Sequence, residues 1–219
     1  MISQSGKTQI FLVDDHPIIC QGLQYIIEQE ADLRVCGFAH DFASALKQFD
    51  ATEVNLAIVD ISLPGRDGIE LIRELLNRSA DLPILVVSYY PESDCAPHTI
   101  RAGARGYLCK REAAQQVVSA IRTILRGRRY LSEMVKDQLF EQAIGGNVNT
   151  ERKVSRLTPR EFQVFRLIGA GKSTRTIADQ LNLSPKTVEM HRIHIKRKLD
   201  VSNVQELTCY AAQWIERTG

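Results

Sequence analysis

The 219 residues carry a formal net charge of +2, with 44% hydrophobic and 25% charged side chains. That balance supports buried cores, and no apolar run approaches the roughly 20 residues needed to cross a bilayer, which argues against a helical membrane protein. The charge is uneven: Glu151 to Gly219 holds 13 Lys+Arg against 7 Asp+Glu, and the preceding residues hold 15 against 19, so an acidic front precedes a basic back with an expected anionic partner. Ile10 to Val13 is a short apolar strand ending on Asp14-Asp15. His16 to Gln29 has helical spacing, with Ile19, Leu23, Ile26 and Ile27 on one face. Leu33 to Ala39 reads as a strand, Asp41 to Phe49 as a helix, Leu56 to Val59 as a strand and Gly68 to Leu76 as a helix. Pro83 to Val87 and Gly106 to Cys109 are two more strands. Glu112 to Leu125 closes with a helix expected to bury Ala114, Val117, Val118, Ile121 and Leu125. Five strands alternating with helices predict a doubly wound α/β fold, with a parallel sheet covered on both faces.

Ser132 to Ala143 suits a short connecting helix, and Ile144 to Thr150, with two glycines and two asparagines, suits a flexible linker. From Leu157 the pattern is entirely helical. Thr158-Pro159-Arg160-Glu161 carries a helix start, and Gly169-Ala170-Gly171 a stop. Ser173 caps a second helix through Leu181, Asn182-Leu183-Ser184 is a tight turn, and Ser184-Pro185 starts a third helix to about Leu199. A fourth follows from Asn203 to Ile215. The expected division is residues 8–128, a connecting segment 129–153, and a helical domain 154–219. The five cysteines, odd in number and without a C-x-x-C pair, argue for mostly buried thiols in a reducing compartment. The start MISQSGKTQIF lacks the pattern of a secretory signal. A cytoplasmic chain without a membrane partner is therefore expected.

In an open parallel sheet, functional groups gather at the carboxyl ends of the strands. Here those ends offer Asp14 and Asp15, Asp60, Ser88 and Lys110. Three carboxylates together repel, and a hard divalent cation such as Mg²⁺ relieves them. A carboxylate beside Mg²⁺ and lysine can attack a phosphoryl group to give an aspartyl phosphate, with metal, ammonium and hydroxyl neutralising the phosphoryl oxygens.

Two helices joined by a short turn, the second of them basic, read as helix-turn-helix. On a wheel at 100° per residue, Val188, Ile195 and Leu199 cluster on one side. Lys186, Met190, Ile193 and Arg197 lie opposite, flanked by Glu189 and His194. Apolar Met190 and Ile193 between basic groups suit thymine methyls, and Glu189 suits the amino group of cytosine. Lys186, Thr187, Lys196, Arg197 and Lys198 suit phosphates. Double-stranded DNA is the expected partner.

Both halves resemble known families. VDDHP (Val13 to Pro17), VDISLPGRDG (Val59 to Gly68), VVS (Val86 to Ser88) and GYLCK (Gly106 to Lys110) resemble a response-regulator receiver domain of flavodoxin-like fold. That resemblance implies that Asp60 is the phosphoacceptor, that Asp15 binds Mg²⁺ with Asp14 assisting, and that the Ser62 backbone carbonyl is a further ligand. It also implies that Ser88 and Lys110 contact the phosphoryl group and that Tyr107 is an aromatic switch. Two positions depart from the family. Tyr89 stands where a small residue is common, and its bulk is expected to shade the phosphoryl group and slow its loss. Pro97 falls inside the fourth helix, which is therefore expected to begin near Ala96 and be short.

Leu157-Thr158-Pro159-Arg160-Glu161, Ile177-Ala178, Thr187-Val188, His191 and Lys198-Leu199 resemble the LuxR-type DNA-binding domain. Glu189 and Met190 depart from it and suggest an operator of the chain's own. Together the two resemblances imply a regulator of the NarL/FixJ subfamily, not an enzyme. A histidine kinase would phosphorylate Asp60, and a homodimer, either standing or formed on phosphorylation, would bind two half-sites, with Asn203 to Trp214 as a dimer contact. An aspartate-based hydrolase is disfavoured because Ser62 stands where a second Asp is needed. A small-molecule-sensing regulator is disfavoured because the acid cluster is no apolar ligand pocket.

Overall fold

Alternation of side chains along a strand decides which helix layer each one meets. The computed structural model describes residues 6–63, 68–90, 92–143, 153–154, 157–181 and 183–218. It divides the chain into two units, Met1–Gly146 and Asn147–Gly219. In the first, β1 (Thr8–Val13), β2 (Leu33–Ala39), β3 (Leu56–Val59), β4 (Ile84–Ser88) and β5 (Gly106–Cys109) form one sheet in the order β2-β1-β3-β4-β5. Every pairing is parallel, as the alternation of elements requires.

Ile10, Leu12, Ile58, Leu85 and Leu108 face one core, with α1 (Pro17–Ile27) and α5 (Ala113–Leu125) supplying Leu23, Ile27, Val117 and Ile121. Phe11, Val13, Val59, Val86 and Tyr107 face the other, against α2 (Phe42–Asp50), α3 (Gly68–Arg78) and α4 (Glu92–Arg101). Each large side chain withdrawn from water in these layers contributes about 1.5–3 kcal/mol. The thiols are all free, with Cys20 and Cys95 buried, Cys36 and Cys109 half-buried and Cys209 exposed.

Two helices differ from expectation. In α5 the buried set is Ala113, Val117, Ala120, Ile121 and Ile124, whereas Ala114 and Leu125 are exposed. The stripe is rotated by one residue, because β5 and α1 are met by the side that Ala120 and Ile124 occupy. In α4 the helix begins at Glu92 rather than near Ala96, with Pro97 inside it. Proline there forfeits one helical hydrogen bond, but Cys95, Ala96 and Ile100 bury against the sheet layer and offset that loss.

After α5 the chain returns to the edge of β5. The Tyr107 N–H donates to the Tyr130 carbonyl at 3.0 Å, and the Tyr130 N–H donates to Arg105 at 3.1 Å. Helix α6 (Glu133–Ala143) then packs beside α4, with Val135 fully buried and Leu131 and Leu139 against the same core. The Ser132 N–H donates to Glu92 Oε1 at 2.8 Å. Pro64 and Gly65, the linker Ile144 to Thr150 and Asn182 lie outside the described residues.

The second unit contains α7 (Pro159–Gly169), α8 (Thr174–Leu181), α9 (Pro185–Leu199) and α10 (Val204–Thr218). Thr158 and Glu161 form a reciprocal capping box on α7, and Ser184 caps α9 by accepting from the Thr187 N–H. The aromatic side chains of α10 turn toward α7: Trp214 meets Phe162 edge-on at 5.1 Å, and Tyr210 lies 6.1 Å from Phe165. Two glycines at the end of α7 divide the work. Gly171 turns the chain at φ +72, whereas Gly169 lets the helix approach α10, where a Cβ would stand 2.6 Å from the Ala211 carbonyl oxygen. Gly169→Ala is therefore expected to destabilise the second unit by about 1–3 kcal/mol through overpacking. Urea titration followed by Trp214 fluorescence measures this, and an unchanged midpoint would contradict the close packing.

Candidate functional sites

Strand order reverses between β1 and β3, and a crevice opens there at the carboxyl ends. Asp14 follows β1 and Asp60 follows β3. The backbone ladder fixes both, with the Asp60 N–H on the Val13 carbonyl at 2.8 Å and the Asp14 N–H on Ala39 at 3.0 Å. The Lys110 N–H donates to the Ser88 carbonyl at 2.7 Å, which sets lysine and hydroxyl side by side. Gly68 is needed at the start of α3: a Cβ there would lie 2.4 Å from the Ile61 Cα and 2.7 Å from the Asp60 oxygen. Only glycine lets that helix start lie against the backbone carrying Asp60.

The side chains converge. Lys110 Nζ lies 2.5 Å from Asp14 Oδ2 and 2.7 Å from Asp60 Oδ2. The other Asp60 oxygen accepts from Ser88 Oγ at 2.9 Å and from the Ser62 N–H at 3.0 Å. The side chains of Asp60, Lys110 and Asp14 are only 1%, 2% and 5% exposed. Asp15 is more open; its Oδ1 lies 2.7 Å from His16 Nδ1. That oxygen takes no hydrogen bond from any described residue. Asp14, Asp15 and His16 each offer a donor atom within 4.8 Å of the others, and two carboxylates of this kind fit a hard cation. Tyr107 is buried, and its hydroxyl donates to the Tyr90 carbonyl at 3.0 Å.

Burial and charge compete in this cluster. Burial raises the pKa of Asp14, overriding the lysine beside it. Burial alone would lower that of Lys110, but the charge of Asp60 and the hydrogen bonds to Asp14 and Asp60 hold it above its usual value. The Lys110 contribution to stability is thus present below its ordinary pKa and is lost only as pH climbs through the folded one. Asp14 has the same slope in a lower window: its raised carboxyl pKa counts against the fold as pH rises above 3.8.

In the second unit Val188, Ile195 and Leu199 are fully buried, whereas Met190 and Ile193 are 47% and 54% exposed. The core face of α9 is therefore the one that the wheel indicates. Lys186 and Arg197 are exposed, and Thr187 and Lys196 are half-buried. Thr187 Oγ1 shares a hydrogen bond with Ser184 Oγ at 2.7 Å. Glu189 Oε1 accepts from Thr174 Oγ1 at 2.8 Å, with Arg192 3.5 Å away, so this carboxylate is held toward α8.

Lys198 is placed differently from the phosphate role expected of it. Its Nζ lies 2.5 Å from Glu161 Oε2, and His194 Nδ1 is 3.9 Å from the other oxygen. Glu161 is 3% exposed and also accepts from the Thr158 N–H at 2.7 Å. It thus caps α7 and grips α9 at once. Its capping role is legible in T-P-R-E, but nothing local signals a partner 37 residues away.

A crevice holding two buried aspartates, a serine and a lysine, followed by a basic helix-turn-helix, has the make-up of a response regulator of transcription. The model of the response regulator receiver domain matches residues 10–122, and that of the bacterial regulatory proteins of the luxR family matches residues 155–211. The chain belongs to the two-component response regulators of the NarL/FixJ type. It is 35% identical over 199 residues to response regulator UvrY of Escherichia coli K12, covering 91% of each chain. It is 30% identical over 205 residues to response regulator GacA of Pseudomonas syringae pv. syringae, covering 94% of this chain and 95% of the relative. Among solved structures, RcsB from Salmonella enterica serovar Typhimurium, bound to promoter rprA in the presence of phosphomimetic BeF3-, superposes with a TM-score of 0.59 at 25% identity, over 94% of this chain and 98% of RcsB. Among the described residues no helix is long and apolar enough to cross a membrane.

Lys110→Met removes the ammonium and leaves two buried carboxylates facing each other. The expected cost near pH 7.5 is about 3 kcal/mol in urea unfolding, shrinking at lower pH because burial favours the protonated form of Asp14. An equal cost at lower pH would mean that the repulsion is not what Lys110 relieves.

Proposed function

We propose that a histidine kinase transfers a phosphoryl group to Asp60 and that this controls sequence-specific DNA binding by α9. The observation that carries the reading is Asp60 itself, a buried carboxylate bracketed by Lys110 Nζ on one oxygen and by Ser88 Oγ and the Ser62 N–H on the other. An oxygen of Asp60 attacks the phosphorus, and the bond to the donor nitrogen breaks. Ser88 and Lys110 then turn from the carboxylate to the new phosphoryl oxygens. Asp14, Asp15, Asp60 and the Ser62 carbonyl would hold Mg²⁺, which supplies positive charge to the transferring group. Ser88 leaving Asp60 changes what Tyr107 packs against, and such a shift alters function only if one state is stabilised over the other. The chain acts as a switch in a cytoplasmic signalling route, not as an enzyme with its own substrate.

On the DNA side Met190 and Ile193 would meet base edges, with Glu189 and His194 beside them and Lys186, Thr187, Lys196 and Arg197 on phosphates. A homodimer would place two such helices on two half-sites. The RcsB structure bound to promoter DNA supports this by likeness.

Intact mass after incubation with acetyl phosphate and Mg²⁺ tests the acceptor: wild type is expected to gain one phosphoryl group and Asp60→Asn none. Gain by the variant would move the site elsewhere. For the interface, Arg197→Ala is expected to weaken binding alike on all sequences and lower the salt slope by about 1. Ile193→Ala is expected to change the preferred base at one position with the slope intact. Fluorescence anisotropy on a selected operator and a scrambled duplex reads both, and sequence-selective loss in Arg197→Ala would reverse the assignment.

A further inference from the structure

We propose that Tyr89 is a lid on the acid pocket and sets how long Asp60 keeps its phosphoryl group. The inference rests on the reading of Asp60 as the phosphoacceptor. Tyr89 follows directly on β4, whose last residue, Ser88, donates to Asp60. Its ring lies over Lys110, with Nζ 5.0 Å from the ring centroid. The ammonium beneath is almost wholly buried, as are Asp60 and Asp14, whereas Tyr89 itself is 54% exposed. The ring is thus an outer layer between the lysine and solvent. A cation under an aromatic face is an attractive arrangement, so the ring is held there.

The backbone on both sides of Tyr89 is also fixed. Ser88 is tied to Asp60 through its hydroxyl, and the Tyr90 carbonyl accepts from the Tyr107 hydroxyl. The Cα from which the ring projects therefore has little freedom to move while both neighbours stay bonded, and the ring itself is held by the lysine beneath it. When Lys110 follows the phosphoryl oxygens, the ring above it covers the group that Lys110 contacts.

Loss of the phosphoryl group needs a water molecule in line with the bond from phosphorus to Asp60. The water oxygen bonds to phosphorus, the bond to the Asp60 oxygen breaks, and the electron pair returns to the carboxylate. The water proton goes to solvent, and inorganic phosphate leaves. A ring over the pocket mouth restricts that approach. It restricts a small donor such as acetyl phosphate in the same way, because the donor enters by the same mouth.

The test uses the full chain as wild type, Tyr89→Ala and Tyr89→Phe, loaded with acetyl phosphate and Mg²⁺ and then freed of donor. Intact mass against time gives the lifetime, and mass during loading gives the uptake rate. The lid predicts that Tyr89→Ala loses its phosphoryl group about tenfold faster and takes it up faster, with Tyr89→Phe close to wild type. If Tyr89 merely braced Lys110, the alanine variant would load more slowly with an unchanged or longer lifetime, and that result overturns the lid. A wild-type chain that takes no phosphoryl group overturns both the lid and the acceptor assignment. Loading of wild type with an unshortened lifetime in Tyr89→Ala overturns the lid alone.

Discussion

One ammonium is shared by two carboxylates from different strands, and the architecture of the first unit serves that contact. Lys110 reaches both Asp14 and Asp60 with almost no water present. A buried charge left alone is strongly unfavourable, and this cluster is tolerable only because each oxygen of Asp60 has a donor. The parallel sheet makes this possible, because all strand ends point the same way and their successors meet at one rim. Gly68 then lets α3 begin against the Asp60 backbone without displacing it. The arrangement is self-neutralising but not relaxed: three carboxylates and one lysine leave net negative charge in the crevice. A cation or a phosphoryl group with its metal therefore finds partners already aligned, and its arrival redistributes hydrogen bonds that are already there.

Much of this was legible in the sequence because strand periodicity and chain punctuation are local. The apolar runs ending on Asp14, Asp60, Ser88 and Lys110 by themselves place these residues at one rim. The wheel likewise separated Val188, Ile195 and Leu199 from Met190 and Ile193. What was not legible depends on distant partners. The α5 stripe is displaced by one residue, since alanines read ambiguously and only the neighbouring helix decides which of them is covered. Pro97 argued for a late helix start, and the burial of Cys95 and Ala96 outweighed it. Glu161 and Lys198 meet across most of the second unit, and Glu189 finds Thr174 on another helix. Neither pair leaves a mark at short spacing.

In the second unit the same economy of charge recurs. Glu161 holds the first turn of α7 together and simultaneously anchors the end of α9 through Lys198. This removes Lys198 from the outer face and narrows that face to Lys186, Met190, Ile193 and Arg197. Glu189 is turned toward Thr174 and Arg192, so its carboxylate is oriented rather than free. A groove-reading surface benefits from such bracing, since side chains with fixed positions lose less freedom on binding. Burial holds the His191 imidazole below its usual pKa.

Three consecutive residues after the centre of β4 reach three different parts of the acid pocket and its surroundings. Ser88 is bonded to Asp60, Tyr89 lies over the lysine, and the Tyr90 carbonyl holds the hydroxyl of Tyr107. None of them can move independently, because the peptide bonds between them allow only a few soft rotations. If a phosphoryl group draws Ser88 toward its oxygens, the backbone at Tyr90 must answer, and the partner of Tyr107 shifts with it. Tyr107 in turn donates its backbone N–H to Tyr130, the residue that leads into α6. Helix α6 is packed on α4 through Val135 and tied to it between Ser132 and Glu92. A change at Asp60 therefore has a continuous path of hydrogen bonds and packed side chains to the segment that precedes the second unit. Such a path transmits a signal only if its two end states differ in energy. The buried charge cluster, whose contacts would change on phosphorylation, is placed to supply that difference.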